Sequence, residues 1–248
     1  MTDIRVDQLS VVLGTRQVLT DIDLTIGTGE LVAIVGPNGA GKTSLMRAIA
    51  GDISPTGGTV TIGGHHIASL NPHHAAAIRS YLAQDHATTS HFSVETIVGF
   101  GQFGSSRPDP DAVRKAMDRV EVSELAERPF DELSGGEQRR VAVARVLCQE
   151  SPVVLLDEPT DSLDLGHAEL VMTTAAVEAA GGSTVVITSH DLNVAARHAT
   201  AMVLLAAGRV IRTGTPHEVL DPELLSEVYA TTVSVVSHPV TGAPVVVV

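Results

Sequence analysis

The chain has 248 residues, 44 % of them hydrophobic and 18 % charged, with no Trp. That length and balance rule out an intrinsically disordered segment and fit one large folded domain. A formal net charge of −13, from 16 Lys+Arg against 29 Asp+Glu, argues against a broad nucleic-acid surface, which needs clustered cations on phosphate. Cys148 is the only cysteine, so an internal disulfide is impossible and a reducing cytoplasm suits the chain. Met1 to Arg5 lacks the basic-then-apolar pattern of a secretion signal. The longest apolar runs, Ala201 to Ala207 and Val245 to Val248, fall far short of the about 18 residues a membrane span needs. If the protein serves a membrane, it is expected to do so by docking on a partner.

In chain order, Ile4 to Val12 and Val18 to Ile26 alternate polar and apolar residues with turn residues between, which predicts two strands. Leu31 to Val35 is a continuous apolar run, as expected of a strand covered on both faces. It leads into a Gly-rich loop and a helix over Thr43 to Ala50, and Val60 to Ile62 predicts another strand. From Ser93 to Gln149 the spacing is helical, with Val94/Ile97/Val98 and Val113/Met117/Val120 on helix faces. Gly99 to Pro110, rich in Gly, Ser and Pro, reads as a loop within it. Strand and helix then alternate again: Val153 to Leu156, Asp164 to Ala180, Thr184 to Thr188 and Asp191 to His198. Ala201 to Leu205 and Arg209 to Thr213 read as a hairpin around Ala207-Gly208, followed by two short helices. The end reads as a hairpin, Thr232 to Ser237 with Pro244 to Val248. The expected fold is α/β with a mixed, largely parallel sheet, an N-terminal antiparallel β subdomain and an inserted helical subdomain. All 248 residues form one domain in this reading, with 1–84 and 150–248 as its core and 85–149 as the helical insertion.

Residues 36–43 read Gly36-Pro37-Asn38-Gly39-Ala40-Gly41-Lys42-Thr43, which satisfies the pattern Gly, four residues, Gly-Lys-Ser/Thr between a strand and a helix. The glycines let the backbone curl so that successive N–H groups point at phosphate oxygens, and the helix start adds its positive dipole end. Lys42 supplies a cation for the β- and γ-phosphates and the Thr43 hydroxyl can ligate Mg²⁺. Ser44, next in the helix, is counted with the loop as an ATP contact. Asp157 ends an apolar strand and Glu158 follows; such a pair can hold Mg²⁺ through Asp157 and orient the attacking water through Glu158. His190, just past the strand Val185 to Thr188, is placed to bond the γ-phosphate. Gln84, after Tyr81-Leu82-Ala83, offers an amide oxygen to Mg²⁺ or to the water.

Residues 133–137 read LSGGE, with Ser134, Gly135 and Gly136 at a second helix start and Glu137 after them. Two anion-binding helix starts in one chain allow each ATP to be held between two copies. With these pieces in place, the chain resembles the ATP-binding-cassette family over nearly its whole length. The resemblance is carried by GPNGAGKT, Gln84, LSGGE, VVLLDEP at 153–159, Ser162-Leu163-Asp164 and TSHDL at 188–192. It implies ATP and Mg²⁺ as cofactors and a homodimer of ATPase subunits on transmembrane permease subunits, with a substrate-binding protein as an indirect partner. It implies a peripheral place on the cytoplasmic face of the cell membrane. Ser134 to Glu137 would close over ATP on the opposite subunit, and Asp164 would belong to the loop linking the two sites. Glu158 would be the catalytic base, His190 the switch histidine, and Gln84 the sensor of the transmembrane partner.

The end of the chain from Gly214 and the stretch SVETIVGFGQFGSS look like those of ATPases that drive ferric-siderophore, haem and cobalamin importers. The rival readings are a soluble cassette ATPase of iron–sulfur assembly and a non-hydrolysing scaffold. Intact Lys42, Asp157, Glu158 and His190 oppose the scaffold. One departure stands out: the family commonly places an aromatic residue near position 13, where this chain has Leu13, leaving Leu13 or the Arg16 guanidinium to contact adenine. The histidines His65, His66, His73, His74, His86 and His91 come without cysteine, and the adjacent pairs would diverge in a strand, so a metal site is disfavoured there.

Overall fold

The computed structural model describes residues 2–84, 91–102 and 108–248. Its strands are β1 (Ile4–Leu13), β2 (Arg16–Ile26), β3 (Leu31–Val35), β4 (Gly57–Ile62), β5 (His65–His66), β6 (Arg79–Leu82), β7 (Val153–Leu156), β8 (Thr184–Ser189), β9 (Ala201–Ala206), β10 (Arg209–Gly214), β11 (Ser234–Ser237) and β12 (Pro244–Val247). Its helices are α1 (Lys42–Ala50), α2 (Pro72–Ile78), α3 (Val94–Gly99), α4 (Pro110–Arg119), α5 (Gly135–Cys148), α6 (Leu165–Ala180), α7 (Leu192–His198), α8 (Pro216–Val219) and α9 (Pro222–Tyr229).

An antiparallel sheet ordered β2-β1-β4-β5 forms the N-terminal β subdomain. Within β1 the inward residues are Ile4 and Val6, then Leu9 and Val11, which are out of phase by one position. The pairing slips between Val6 and Leu9, where Gln8 takes φ 47°, so a bulge restores the inward phase for the second half.

A six-stranded sheet, ordered β10-β9-β3-β8-β7-β6, forms the centre. Every neighbouring pair is parallel except β9 with β10. Both of its faces are covered, which is why β3 and β7 read as unbroken apolar runs. Leu31, Ala33, Val35, Val154 and Leu156 enter one core, and Val32, Ile34, Val153 and Leu155 enter the other. On the first face α5, α6 and α7 pack with α3 and α4; on the second lie α1 and the antiparallel sheet.

Register then sets where chemistry can occur. Val35 pairs with Ser189, Leu156 with Ile187, and Leu82 with Leu156. The residues that follow these strands, the Gly36 loop, Asp157-Glu158, His190 and Gln84, therefore leave the sheet at one edge, the carboxyl ends of its strands.

Part of the histidine reading is corrected. His73 and His74 lie in the first turn of α2 and not in a strand; Asn71 caps that turn by accepting from the His74 backbone N–H at 2.9 Å, and Pro72 fills the first helical position. Their rings meet edge-on with centroids 6.1 Å apart. His65 and His66 are exposed in β5, and His91 pairs through Nδ1 with Asp131 at 2.7 Å. His86 lies outside the described residues, as do 103–107 of the expected Gly99 to Pro110 loop. Among the described residues the helical stretch holds three α-helices, α3 to α5, with single 3₁₀ turns at Phe100–Gln102, Ser123–Leu125 and Phe130–Glu132. Among the described residues no helix is long and apolar enough to cross a membrane.

Candidate nucleotide-binding site

The Gly-rich loop runs from the end of β3 to the start of α1. Gly36 has φ 148°, and a Cβ there would sit 2.0 Å from the Leu205 carbonyl oxygen, so only glycine fits. Gly41 caps α1 at φ 105°, with Leu19 and Val18 crowding the place of a side chain. The loop is pinned from outside: the Gly208 N–H donates to the Ala40 oxygen at 2.9 Å, and the Thr20 N–H to the Gly208 oxygen at 2.9 Å. Lys42 is buried to 6 % exposure, and its Nζ donates to the Gly36 oxygen at 2.8 Å and the Pro37 oxygen at 3.3 Å. Burial holds the Lys42 pKa below its ordinary value, while Glu158 and Asp157 pull it back up.

Asp157 is fully buried. Desolvation raises its pKa above the usual carboxylate range, opposed by hydrogen bonds from Thr188, Thr43 and Tyr81 and by the Arg139 charge. Thr43 Oγ1 lies 3.4 Å from Asp157 Oδ1 and 3.3 Å from Gln84 Oε1. Gln84 in turn donates through Nε2 to Glu158 Oε2 at 3.1 Å, and His190 Nδ1 stands 4.0 Å from the same oxygen. Glu158 takes φ 50°, an uncommon conformation for a side chain of that type. Two groups hold it there. The Glu158 N–H donates to Thr188 Oγ1 at 2.8 Å, and Arg139 Nη2 bonds the carbonyls of both Asp157 and Glu158.

A cavity of about 850 Å³ opens on this edge, lined among others by Arg16, Asn38 to Ser44, Gln84, Glu158 and His190. Sequence reasoning had not placed Gln17, Val18, Ala207 and Gly208 there, and they line it too. Leu13, 42 % exposed at the end of β1, is outside the lining, and among the described residues no Phe, Tyr or Trp is in it. Nor do Ser134 to Glu137 or Asp164 line it. Ser134 caps α5 in a reciprocal box with Glu137: the Glu137 N–H donates to Ser134 Oγ at 3.3 Å, and the Ser134 N–H to Glu137 Oε2 at 2.8 Å. Asp164 caps α6, accepting from the His167 N–H at 2.9 Å. Both segments are largely exposed.

Two further residues shape the site. Thr188 bridges the Asp157 carboxylate and the Glu158 backbone, and buried Arg139 fastens α5 to the ends of β6 and β7. Neither residue carries a signal in the sequence that points to this role, since both act on partners far along the chain.

A strand–glycine loop–helix with its lysine, and a carboxylate pair at the end of β7, two strands over from β3 in the sheet, define a P-loop nucleoside-triphosphatase domain. The model of the ABC transporter family matches residues 19–161. The chain is 44 % identical to the hemin import ATP-binding protein HmuV of Nocardia farcinica, over 93 % of this chain and 82 % of that one. It is 45 % identical to the HmuV protein of Streptomyces coelicolor, over 96 % and 87 %. A dimeric post-hydrolysis ATP-binding cassette bound to ADP and Pi superposes with a TM-score of 0.78 at 25 % identity, covering 86 % of this chain and 98 % of that one. The chain belongs to the ABC transporter family and is an ATPase.

Proposed function

We propose that the chain is the ATPase subunit of a hemin importer, acting as a homodimer on permease subunits at the cytoplasmic face of the membrane. The observation that carries the cargo is the 44–45 % identity to two hemin import ATP-binding proteins over nearly the whole chain. A role in iron–sulfur assembly is not favoured by these relatives.

In this reading Lys42 and the loop amides grip the β- and γ-phosphates of ATP. Thr43, Gln84 and Asp157 offer a hydroxyl, an amide oxygen and a carboxylate within a few ångströms of one another, a set of hard oxygens that fits magnesium. When bound, that ion offsets charge on the phosphates. Glu158 takes the proton of the attacking water, Gln84 holds its carboxylate in place, and His190 donates toward the γ-phosphate. The outward-facing Ser134 helix start of a second copy completes the enclosure of ATP, because this chain's own signature is not on its own cavity. Asp164 links the two sites. Gln84 and the helices α3 to α5 form the face that meets the permease.

With no Phe, Tyr or Trp of the described residues in the lining, the Arg16 guanidinium is left to stack on the base. The ratio of kcat/KM for ATP over GTP is expected to be lower than in a relative with an aromatic at the position of Leu13. Equal ratios in the two proteins would count against this account of the base contact.

The importer reading is tested by co-expression with the hemin permease encoded by the same organism. The chain is expected to pellet with membranes only when that permease is present, and reconstituted vesicles are expected to accumulate hemin on ATP addition. A chain that stays in the soluble fraction with the permease present would overturn the proposal.

A further inference from the structure

His190 is a loop residue, 57 % exposed, whose catalytic use depends on being held beside Glu158. Among the described residues no hydrogen bond from its own ring fixes it, so its position is inherited from its neighbours. Ser189 Oγ donates to the Asp191 oxygen and accepts from the Asp191 N–H, both at 3.0 Å, which closes a tight loop around His190. Asp191 then caps α7, its Oδ1 accepting from the N–H groups of Asn193 at 2.9 Å and Val194 at 3.0 Å.

The side chain of Asn193 turns away from this loop to the end of the chain. Its Nδ2 donates to the Val246 oxygen at 3.1 Å, and its Oδ1 accepts from the Val246 N–H at 2.7 Å. An amide bonding both polar groups of one backbone residue acts as an added strand edge for β12. Val246 pairs on its other side with Val235 of β11, and both valines pack on the core that includes Leu192 and Val194 of α7. At its other end α7 is tied by Arg197, which donates to Glu169 of α6 at 3.0 Å. The hydrogen bonds from Val246 to Asn193, Asp191 and Ser189 form an unbroken path around His190.

We propose that Asn193 is a positioning residue for ATP hydrolysis, and that the C-terminal hairpin is the support against which it holds His190. The proposal rests on the role given above to His190. Nothing in it concerns nucleotide affinity, since neither Asn193 nor the hairpin lines the cavity.

The test is steady-state ATPase kinetics on the full chain carrying Asn193→Ala, Asn193→Asp, His190→Ala and the double substitution Asn193→Ala/His190→Ala. Asn193→Ala is expected to lower kcat about tenfold with KM for ATP within about twofold, because small misplacements of a catalytic group cost rate more than binding. Asn193→Asp keeps the acceptor for the Val246 N–H but loses the donor, so its kcat is expected between the two. In the His190→Ala background Asn193→Ala is expected to have no further effect, the signature of two residues acting as one unit. A wild-type kcat in Asn193→Ala, or an equal loss in both backgrounds, would overturn the positioning role. If His190→Ala itself turns over at the wild-type rate, the fault lies with the reading of His190, and the inference falls with it.

Discussion

Glu158→Gln is expected to lower ATP turnover by a factor on the order of 10² to 10⁴ and to leave ATP binding intact. The carboxylate is 14 % exposed and reaches the cavity between Gln84 and His190. Glutamine has the same shape, and its amide oxygen can still accept from Gln84 Nε2. The two backbone anchors of residue 158, its N–H on Thr188 and its carbonyl on Arg139, do not depend on the side chain. The left-handed backbone at φ 50° is therefore kept, and thermal stability is expected to move little. What is lost is the ability to take a proton from water. ATP then persists in the site, and with it whatever ATP holds together. In size-exclusion chromatography with ATP and Mg²⁺ the variant is expected to elute as a dimer containing nucleotide. Turnover at the wild-type rate would remove Glu158 from the base role. A strictly monomeric variant with no nucleotide bound would remove the two-copy site.

The parts of this site that were legible beforehand are those written into consecutive residues. The Gly36 to Thr43 loop and Asp157-Glu158 each lie within a few consecutive positions, and unbroken apolar runs at β3 and β7 announced strands covered on both faces. The strand ends then placed Gln84, Asp157 and His190 at one edge without further information. Three things escaped. The bulge at Gln8 shows in the sequence only as two polar residues in a row, Asp7-Gln8, within an otherwise alternating stretch. The helix α2 follows the start signal Asn71-Pro72, but it is so short that its periodicity carries little weight against the histidine pairs. Arg139, Thr188 and Asn193 act on backbone carbonyls and N–H groups that any residue type presents, so no pattern of side chains marks their partners. The bond between Asn193 and Val246 spans 53 positions and has no local trace.

Lys42→Ala is expected to raise the Kd for ATP roughly 30- to 150-fold, the equivalent of about 2 to 3 kcal/mol for a charge-assisted contact. Lys42 is the buried cation of the loop, and Glu158 and Asp157 both act on it. Without it the phosphates of ATP would face two carboxylates with only backbone dipoles in compensation. The same substitution is expected to cost little stability, and the sign follows from burial. A lysine whose pKa is lowered on folding opposes the fold while it is protonated, at every pH below its folded value, and that cost vanishes only above the unfolded value. Removing the ammonium relieves this cost and forfeits the bonds to the Gly36 and Pro37 oxygens, so the two changes offset each other. Binding and melting should therefore separate, and titration calorimetry with thermal unfolding of the same sample reads both. A Kd within about threefold of the wild type would show that the ammonium does not touch phosphate. A collapse of Tm alongside the lost binding would show that its work is to close the loop on its own carbonyls.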